Sequence, residues 1–344
     1  MFVKKNYTVS ETLFTTGKHF RWLIPYVLII AILYQYTPLR EFNIPWLPLS
    51  IIGTAVAFYV GFKNNQAYDR LWEARMIWGG IVNSSRMWGS NIKAFVVDPG
   101  NGKNDDEGLL HLKKVMIYRH IAWLYKLRKQ LLEPTGWEHL SLKGLYGKDA
   151  KEKMQKFGLG LYGEDITDNR IERYLSDTEH KALPSFKNAA AQIIDLQSQE
   201  LARLRKTGHL GNFEHVALQG ILNDFYDHQG KAERIKKTPF PRQFASFGFI
   251  MVCIFIIMLP FGVFSEFAKI GSYGIWLAVP FVIVISWVYV VMELVGDYSE
   301  NPFEGLSNDV PMLSICRNIE IDLLQQLGEP NLPEPIHPIN NVLL

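Results

Sequence analysis

The chain has 344 residues, with 36 Lys and Arg against 34 Asp and Glu and a formal net charge of +2. A balance this close to neutrality excludes partners held mainly by charge, nucleic acid among them, and the length alone allows one or two domains. Charged residues make up 20% of the sequence, yet they are absent from four runs of 18 to 23 residues, at 22–39, 42–62, 243–265 and 270–292. Each run is long enough to cross a hydrocarbon core, and none shows the wet face that a helix at the surface of a soluble protein keeps.

At the N-terminus, Lys4 and Lys5 precede an apolar run in the manner of a leader peptide. Glu11 and Lys18 intervene, however, and no small-residue cleavage pattern follows Leu39, so 22–39 reads as a retained first span. In the second run Gly53, Ala57 and Gly61 recur every four residues, a stripe of small side chains that lets helices approach closely in lipid. One position on, Thr54, Phe58 and Phe62 form a neighbouring stripe. Around an axis shared by several copies these three become stacked rings. Two of them are aromatic, a hydrophobic constriction of the kind that gates ions by dewetting. Phenylalanine edges carry partial positive charge and tolerate an anion better than a cation. On this run alone, packing of the same side chains against lipid or a neighbouring helix is the commoner reason for them. No proline separates Phe62-Lys63-Asn64-Asn65 from 67–85, so the second span is predicted to continue as a helix beyond the membrane.

The middle, 63–239, has the pattern of helices and turns without the alternation that marks strands. Leu109, Leu112, Met116, Trp123, Leu127 and Leu131 recur at helical spacing before Pro134. A loop rich in Gly and Lys is expected over 135–165. Pro184 is expected to open a second helix that Gly208 ends, and Asn212 to cap a third carrying Val216, Leu222 and Phe225. Gly158-Leu159-Gly160-Leu161-Tyr162-Gly163 matches the spacing of a dinucleotide-binding loop. Lys151-Glu152-Lys153 stands where the buried strand should be, so the context that gives the motif its meaning is missing.

After the third and fourth runs, Glu293, Asp297, Glu300, Asn301, Glu304 and Asp309 sit close together, either an oxygen-rich cation site or a solvated helix end. Asn308 or Asp309 is expected to cap a last helix with Pro311 in its first turn, running through Ile315, Ile319 and Leu323 to Gly328. The two cysteines, Cys253 and Cys316, argue against a disulfide framework, the nine histidines are scattered without ligand spacing, and neither a nucleophile elbow nor a phosphate loop occurs. No enzyme and no cofactor is indicated. Of the 36 Lys and Arg, only Arg40 and Lys269 lie in the short connections between paired spans, so the middle and both termini are expected on the cytoplasmic side.

Three stretches resemble the bestrophin family of ion channels, particularly its prokaryotic branch. They are Gly61-Phe62-Lys63-Asn64-Asn65-Gln66-Ala67-Tyr68-Asp69-Arg70-Leu71-Trp72-Glu73-Ala74-Arg75 with Trp78-Gly79, then Asn301-Pro302-Phe303, and then Asn308-Asp309-Val310-Pro311 leading to Ile315-Cys316-Arg317-Asn318-Ile319-Glu320. The resemblance implies an all-α membrane protein with four transmembrane helices per subunit and a large cytosolic helical region, assembled as a homopentamer around a central pore. The chain then divides into 1–62 (N-terminal segment and first two spans), 63–239 (cytosolic helices), 240–294 (last two spans) and 295–344 (cytosolic C-terminal segment). Thr54, Phe58 and Phe62 match the family's pore neck, Phe213 its cytosolic aperture, and Asn301 and Asp309 parts of the calcium clasp of some animal members. Leu306, Ser307 and Asn308 replace the acidic middle of that clasp, so no calcium gating is expected.

The implied partners are further copies of the chain, the lipid bilayer, here a bacterial inner membrane, and small monovalent ions. Aromatic rings favour chloride, whereas the acidic stretch and cation-selective relatives favour sodium or potassium. A membrane-anchored scaffold or sensor without conductance is the alternative from another class. Coupled carriers place ionisable groups inside their spans, and the four runs contain none, which favours a passive pore.

Overall fold

The structure, a computed structural model, describes residues 1–100, 106–157, 160, 165–271 and 273–344. It is all-helical, and among the described residues only isolated β-bridges join Phe2, Ile339 and Val342. The α-helices in chain order are α1 (Val9–Thr16), α2 (Phe20–Tyr36), α3 (Trp46–Phe95), α4 (Asp106–Leu132), α5 (Leu145–Phe157) and α6 (Asp165–Tyr174). They are followed by α7 (Asp177–Ala182), α8 (Ala189–Lys206), α9 (Asn212–Lys237), α10 (Arg242–Phe267), α11 (Gly274–Asp297) and α12 (Met312–Leu327). The chain forms two compact units: one is Lys4–Arg70 with Pro239–Asn301, the other Met1–Val3, Leu71–Thr238 and Pro302–Leu344.

The first unit holds α2, α10, α11 and α3 as far as Arg70. Among the described residues three helices, α3, α10 with its 3-10 extension to Ile270, and α11, are long and apolar enough to cross a membrane. The first run forms the 17 residues of α2, which rise about 25 Å and stand at the short end of what a span needs. Leu23, Val27, Ala31 and Tyr34 line one side of α2 at helical spacing and pack with Val252, Phe255 and Leu259 of α10 and Ile275, Ala278 and Val282 of α11. The opposite sides stay apolar yet exposed, with Ile29 and Ile32, Phe249 and Ile257, and Phe281 and Val284. Helices apolar all round need either a protein core or lipid, and here the outward faces meet neither within the chain. That is the pattern of an integral membrane protein.

In the second unit α4 is the central helix, packed by α6, α8, α9 and α12. Met116, Trp123, Leu127 and Leu131 are buried as their spacing requires, together with Trp78, Trp88 and Phe225. Large side chains of this kind each contribute about 1.5–3 kcal/mol on burial.

Several local expectations are corrected. The loop over 135–165 contains α5, whose Ala150 and Met154, four residues apart, are buried on one side. The glycine-rich stretch 158–163 lies, Gly160 apart, outside the described residues. Pro184 sits in a 3-10 turn, Leu183–Ser185, and α8 starts later, where the Asn188 side chain accepts a hydrogen bond from the Ala191 N–H at 3.2 Å. Gly208 does end that helix: its φ of +81° lets the His209 N–H return to the Leu204 carbonyl at 3.0 Å. Asn212 is already helical, and extended Gly211 is the N-cap of α9. Pro311, not Asn308 or Asp309, precedes the first residue of α12, which Gly328 ends in the left-handed region.

Candidate functional site

Up to Arg70, α3 carries two stripes at an average spacing of about 3.6 residues. Leu49, Gly53, Val56, Val60, Lys63 and Ala67 are buried against the other helices of their unit. Leu47, Ile51, Thr54, Phe58, Phe62, Asn65 and Asp69 are exposed. At about 100° per residue the second set occupies an arc of roughly 80° centred opposite the first. The protein therefore turns one seam of this helix inward and presents the reverse side to whatever lies outside the chain.

Phe58 and Phe62 are each 66% exposed on that outer stripe. The Thr54 hydroxyl donates to the Ser50 carbonyl at 2.9 Å, so its polar hydrogen is used along its own helix. The small residues divide. A Cβ on Gly53 would meet the Phe255 ring at 2.8 Å, and the Tyr289 hydroxyl donates to the Gly53 carbonyl at 2.9 Å, so only glycine admits this approach. A Cβ on Gly61 would meet nothing within 4 Å. Ala57 and Gly61 instead line an open groove with Phe58, Phe62 and Asn65.

The residues after Phe62 hold α3 in this orientation. Lys63 forms a buried ion pair with Glu293 of α11. The Asn64 side-chain amide donates to the Met292 carbonyl at 2.9 Å, and Arg70 Nε donates to the Glu300 carbonyl at 3.0 Å. A Cβ on Gly296 would lie 2.2 Å from Asn64 Oδ1, so α11 passes close here. Sequence reasoning missed the pair because each partner stands just outside an uncharged run. The signal available was a lone Lys after one run and a lone Glu after another.

The acidic residues after α11 have partners within their own units. Glu293 pairs with Lys63, and Glu300 lies 3.5 Å from Arg242. Within the second unit, Glu304 binds His139 Nδ1 at 3.0 Å, and Lys236 pairs with buried Glu138 at 2.5 Å. Burial pushes the Glu138 carboxyl above its ordinary range, with Lys236 pulling the other way. Asp309 accepts backbone N–H groups of Phe303, Gly305 and Val310 at 3.1, 2.8 and 2.7 Å. Burial still raises its pKa, against the opposing effect of those three bonds. Both carboxylate oxygens of Asp309 thus shape a turn in which Phe303 takes a left-handed φ of +69°. Among the described residues no three His, Cys, Asp or Glu side chains gather as metal ligands. Asn301, in the first unit, is buried, with its amide 3.4 Å from Glu300 Oε1.

In the second unit Phe213 stands in the first turn of α9 and is 90% exposed. The Ile315–Glu320 motif is structural. Glu320, buried on α12, accepts the hydroxyls of Tyr125 and Tyr174 at 2.5 and 2.6 Å and pairs with Arg317 at 3.0 Å. Arg317 also donates to the Glu334 carbonyl at 2.6 Å, fixing the chain after α12. Burial pushes the Cys316 thiol up to about 12, which makes it inert.

The model of the family "Bacterial/Fungal Bestrophin protein" matches residues 21–325. The voltage-dependent anion channel-forming protein YneE of Escherichia coli K12 is 26% identical over 321 residues, which cover 92% of this chain and 89% of that protein. Its namesake in Salmonella typhimurium is 27% identical over 318 residues, or 91% and 88% of the two chains. Among solved structures, a bacterial bestrophin homologue from Klebsiella pneumoniae shares the fold at a TM-score of 0.72 and 20% identity, covering 92% of this chain and 99% of that one. With the matched region running from α2 into α12, and with these relatives matched over nearly their whole length, the chain belongs to the bacterial and fungal bestrophin family.

Proposed function

We propose that the chain is one subunit of a homopentameric channel that conducts small monovalent ions passively, with chloride-like anions preferred. The observation that carries this reading is the outward stripe of α3: Phe58 and Phe62 are two-thirds exposed on the side opposite a well-packed seam. Exposed apolar side chains in series mark a surface that something outside the single chain covers. Around a fivefold axis they form, with Thr54, a narrow apolar neck whose wetting controls ion passage. Gly61 and Ala57 then accept the neighbouring subunit's helix, while Gly53 packs within its own subunit. The named activity of the relatives, anion-channel formation, agrees with the positive edges of the rings.

In this reading α2, the first part of α3, α10 and α11 are the four membrane helices. Residues 63–239 and 295–344, and both termini, face the cytoplasm of a bacterial inner membrane. Phe213 forms a second constriction at the cytosolic mouth. The positive end of the α9 dipole lies beside it and favours anions there as well. Asn301 and Asp309 are structural, and current is expected to be indifferent to micromolar calcium; clear activation by calcium would contradict this.

Purified protein in planar bilayers under a salt gradient tests the reading. The expected reversal potential lies on the chloride side of zero. A value on the sodium or potassium side would replace anion with cation conduction. Absence of any small-ion leak at every voltage and pH tried would favour a scaffold.

A further inference from the structure

Below the aromatic rings, the outward stripe of α3 meets a charge that the neck does not explain. Asn65 and Asp69 fall within the same arc as Phe58 and Phe62, and Asp69 follows Phe62 by seven residues, about 10 Å along the helix. Asp69 is exposed and is the only charged residue on the stripe as far as Arg70. The two nearest cations on the helix are turned elsewhere: Lys63 is buried with Glu293, and Arg70 Nε is on the Glu300 carbonyl. No hydrogen bond or ion pair joins Asp69 to any described residue. A carboxylate with no partner among the described residues, placed in line with the pore-facing rings, serves neither packing nor helix attachment.

We propose that Asp69 determines charge selectivity. In the assembled channel, five Asp69 carboxylates ring the path just below the neck, where they attract cations and hold back anions. The inference rests on the pore reading above and adds to it the residue that sets the anion-to-cation ratio. Ring-edge dipoles at Phe58 and Phe62 are weak and short in range, whereas full charges on an apolar-walled path act over a Debye length and add across subunits. The ion preference is then a balance between an aromatic neck that tolerates anions and a carboxylate ring that opposes them.

The test is the reversal potential in planar bilayers under a sodium chloride gradient, for the natural protein and for Asp69→Asn, Asp69→Lys and Phe62→Ala. Asp69→Asn is expected to raise the chloride-to-sodium permeability ratio roughly threefold or more, and Asp69→Lys to raise it further, because the local potential is first removed and then reversed. The natural protein needs no substitution for a second readout. Its ratio should move toward chloride as total salt is raised, since screening weakens the carboxylates. Unchanged ratios in both Asp69 variants, with current intact and Phe62→Ala still altering conductance, would overturn the role of Asp69 and leave the pore reading standing. A ratio independent of salt would also count against it. Loss of the Phe62→Ala effect would remove the pore reading and this inference with it.

Discussion

Gly53 and Gly61 are eight residues apart on one helix and should respond differently to substitution. A methyl at Gly53 would enter the Phe255 ring at 2.8 Å, so Gly53→Ala is expected to lower stability by about 1–3 kcal/mol, as overpacking does. In detergent this is a fall in Tm. A Cβ on Gly61 meets nothing within 4 Å, so Gly61→Leu should leave helicity intact and instead reduce the yield of assembled oligomer in size-exclusion chromatography. Another residue-scale expectation concerns His120 of α4, which is fully buried, stacks on Trp123 at 5.2 Å, meets the tilted Phe225 ring at 4.4 Å, and bonds Ser85 Oγ through Nε2 at 2.9 Å. Burial lowers its pKa from 6.5 to about 3. An unfolded histidine takes up a proton near 6.5, so between these values the unfolded chain binds more protons and stability falls as pH falls. From pH 7 to pH 4 the loss is on the order of 3 kcal/mol. His120→Phe should flatten that part of a stability-against-pH curve measured by denaturant unfolding, since Ser85 keeps its bond to the Ile81 carbonyl at 2.6 Å. An undiminished slope would place the sensitivity elsewhere.

At the scale of the helix, the buried pair of Lys63 and Glu293 ties α3 to α11 within the apolar unit. Removing one partner leaves an uncompensated buried charge, so Lys63→Met is expected to cost about 3–5 kcal/mol, while Lys63→Met with Glu293→Met should recover most of it. Thermal unfolding of the three variants in detergent measures this. A double variant as unstable as the single one would show that the pair does more than neutralise itself. The apolar runs, the continuation of the second span into one long α3 and the periodic α4 were legible in the sequence, because length and period both depend only on local composition. Helix starts were not. Pro184, Asn212 and Asp309 each carry cap chemistry, but a cap is decided by which backbone N–H groups the fold leaves open. The turn around Phe303 claimed Asp309 first. The outer stripe of α3 was visible as Thr54, Phe58 and Phe62. Its extension through Leu47, Ile51, Asn65 and Asp69 was hidden, because a sequence does not say which of two opposite stripes the fold buries.

At the scale of the whole molecule, the proposed channel rests on family membership and on one exposed helix face. Membership explains the fold, but the ion path is argued from side chains that the single chain leaves uncovered. The claim that Phe58 and Phe62 line this path is therefore the one to test directly. Single cysteines at Phe58, at Phe62 and, as a control, at Phe281, which is 56% exposed on α11, can be exposed to a water-soluble thiol reagent while current is recorded in a planar bilayer. Buried Cys316 and half-buried Cys253 of the natural chain supply the background. Rapid loss of most of the current for Phe58→Cys and Phe62→Cys, with Phe281→Cys unaffected, is the predicted result. Current that persists in both neck variants despite complete labelling would contradict the account.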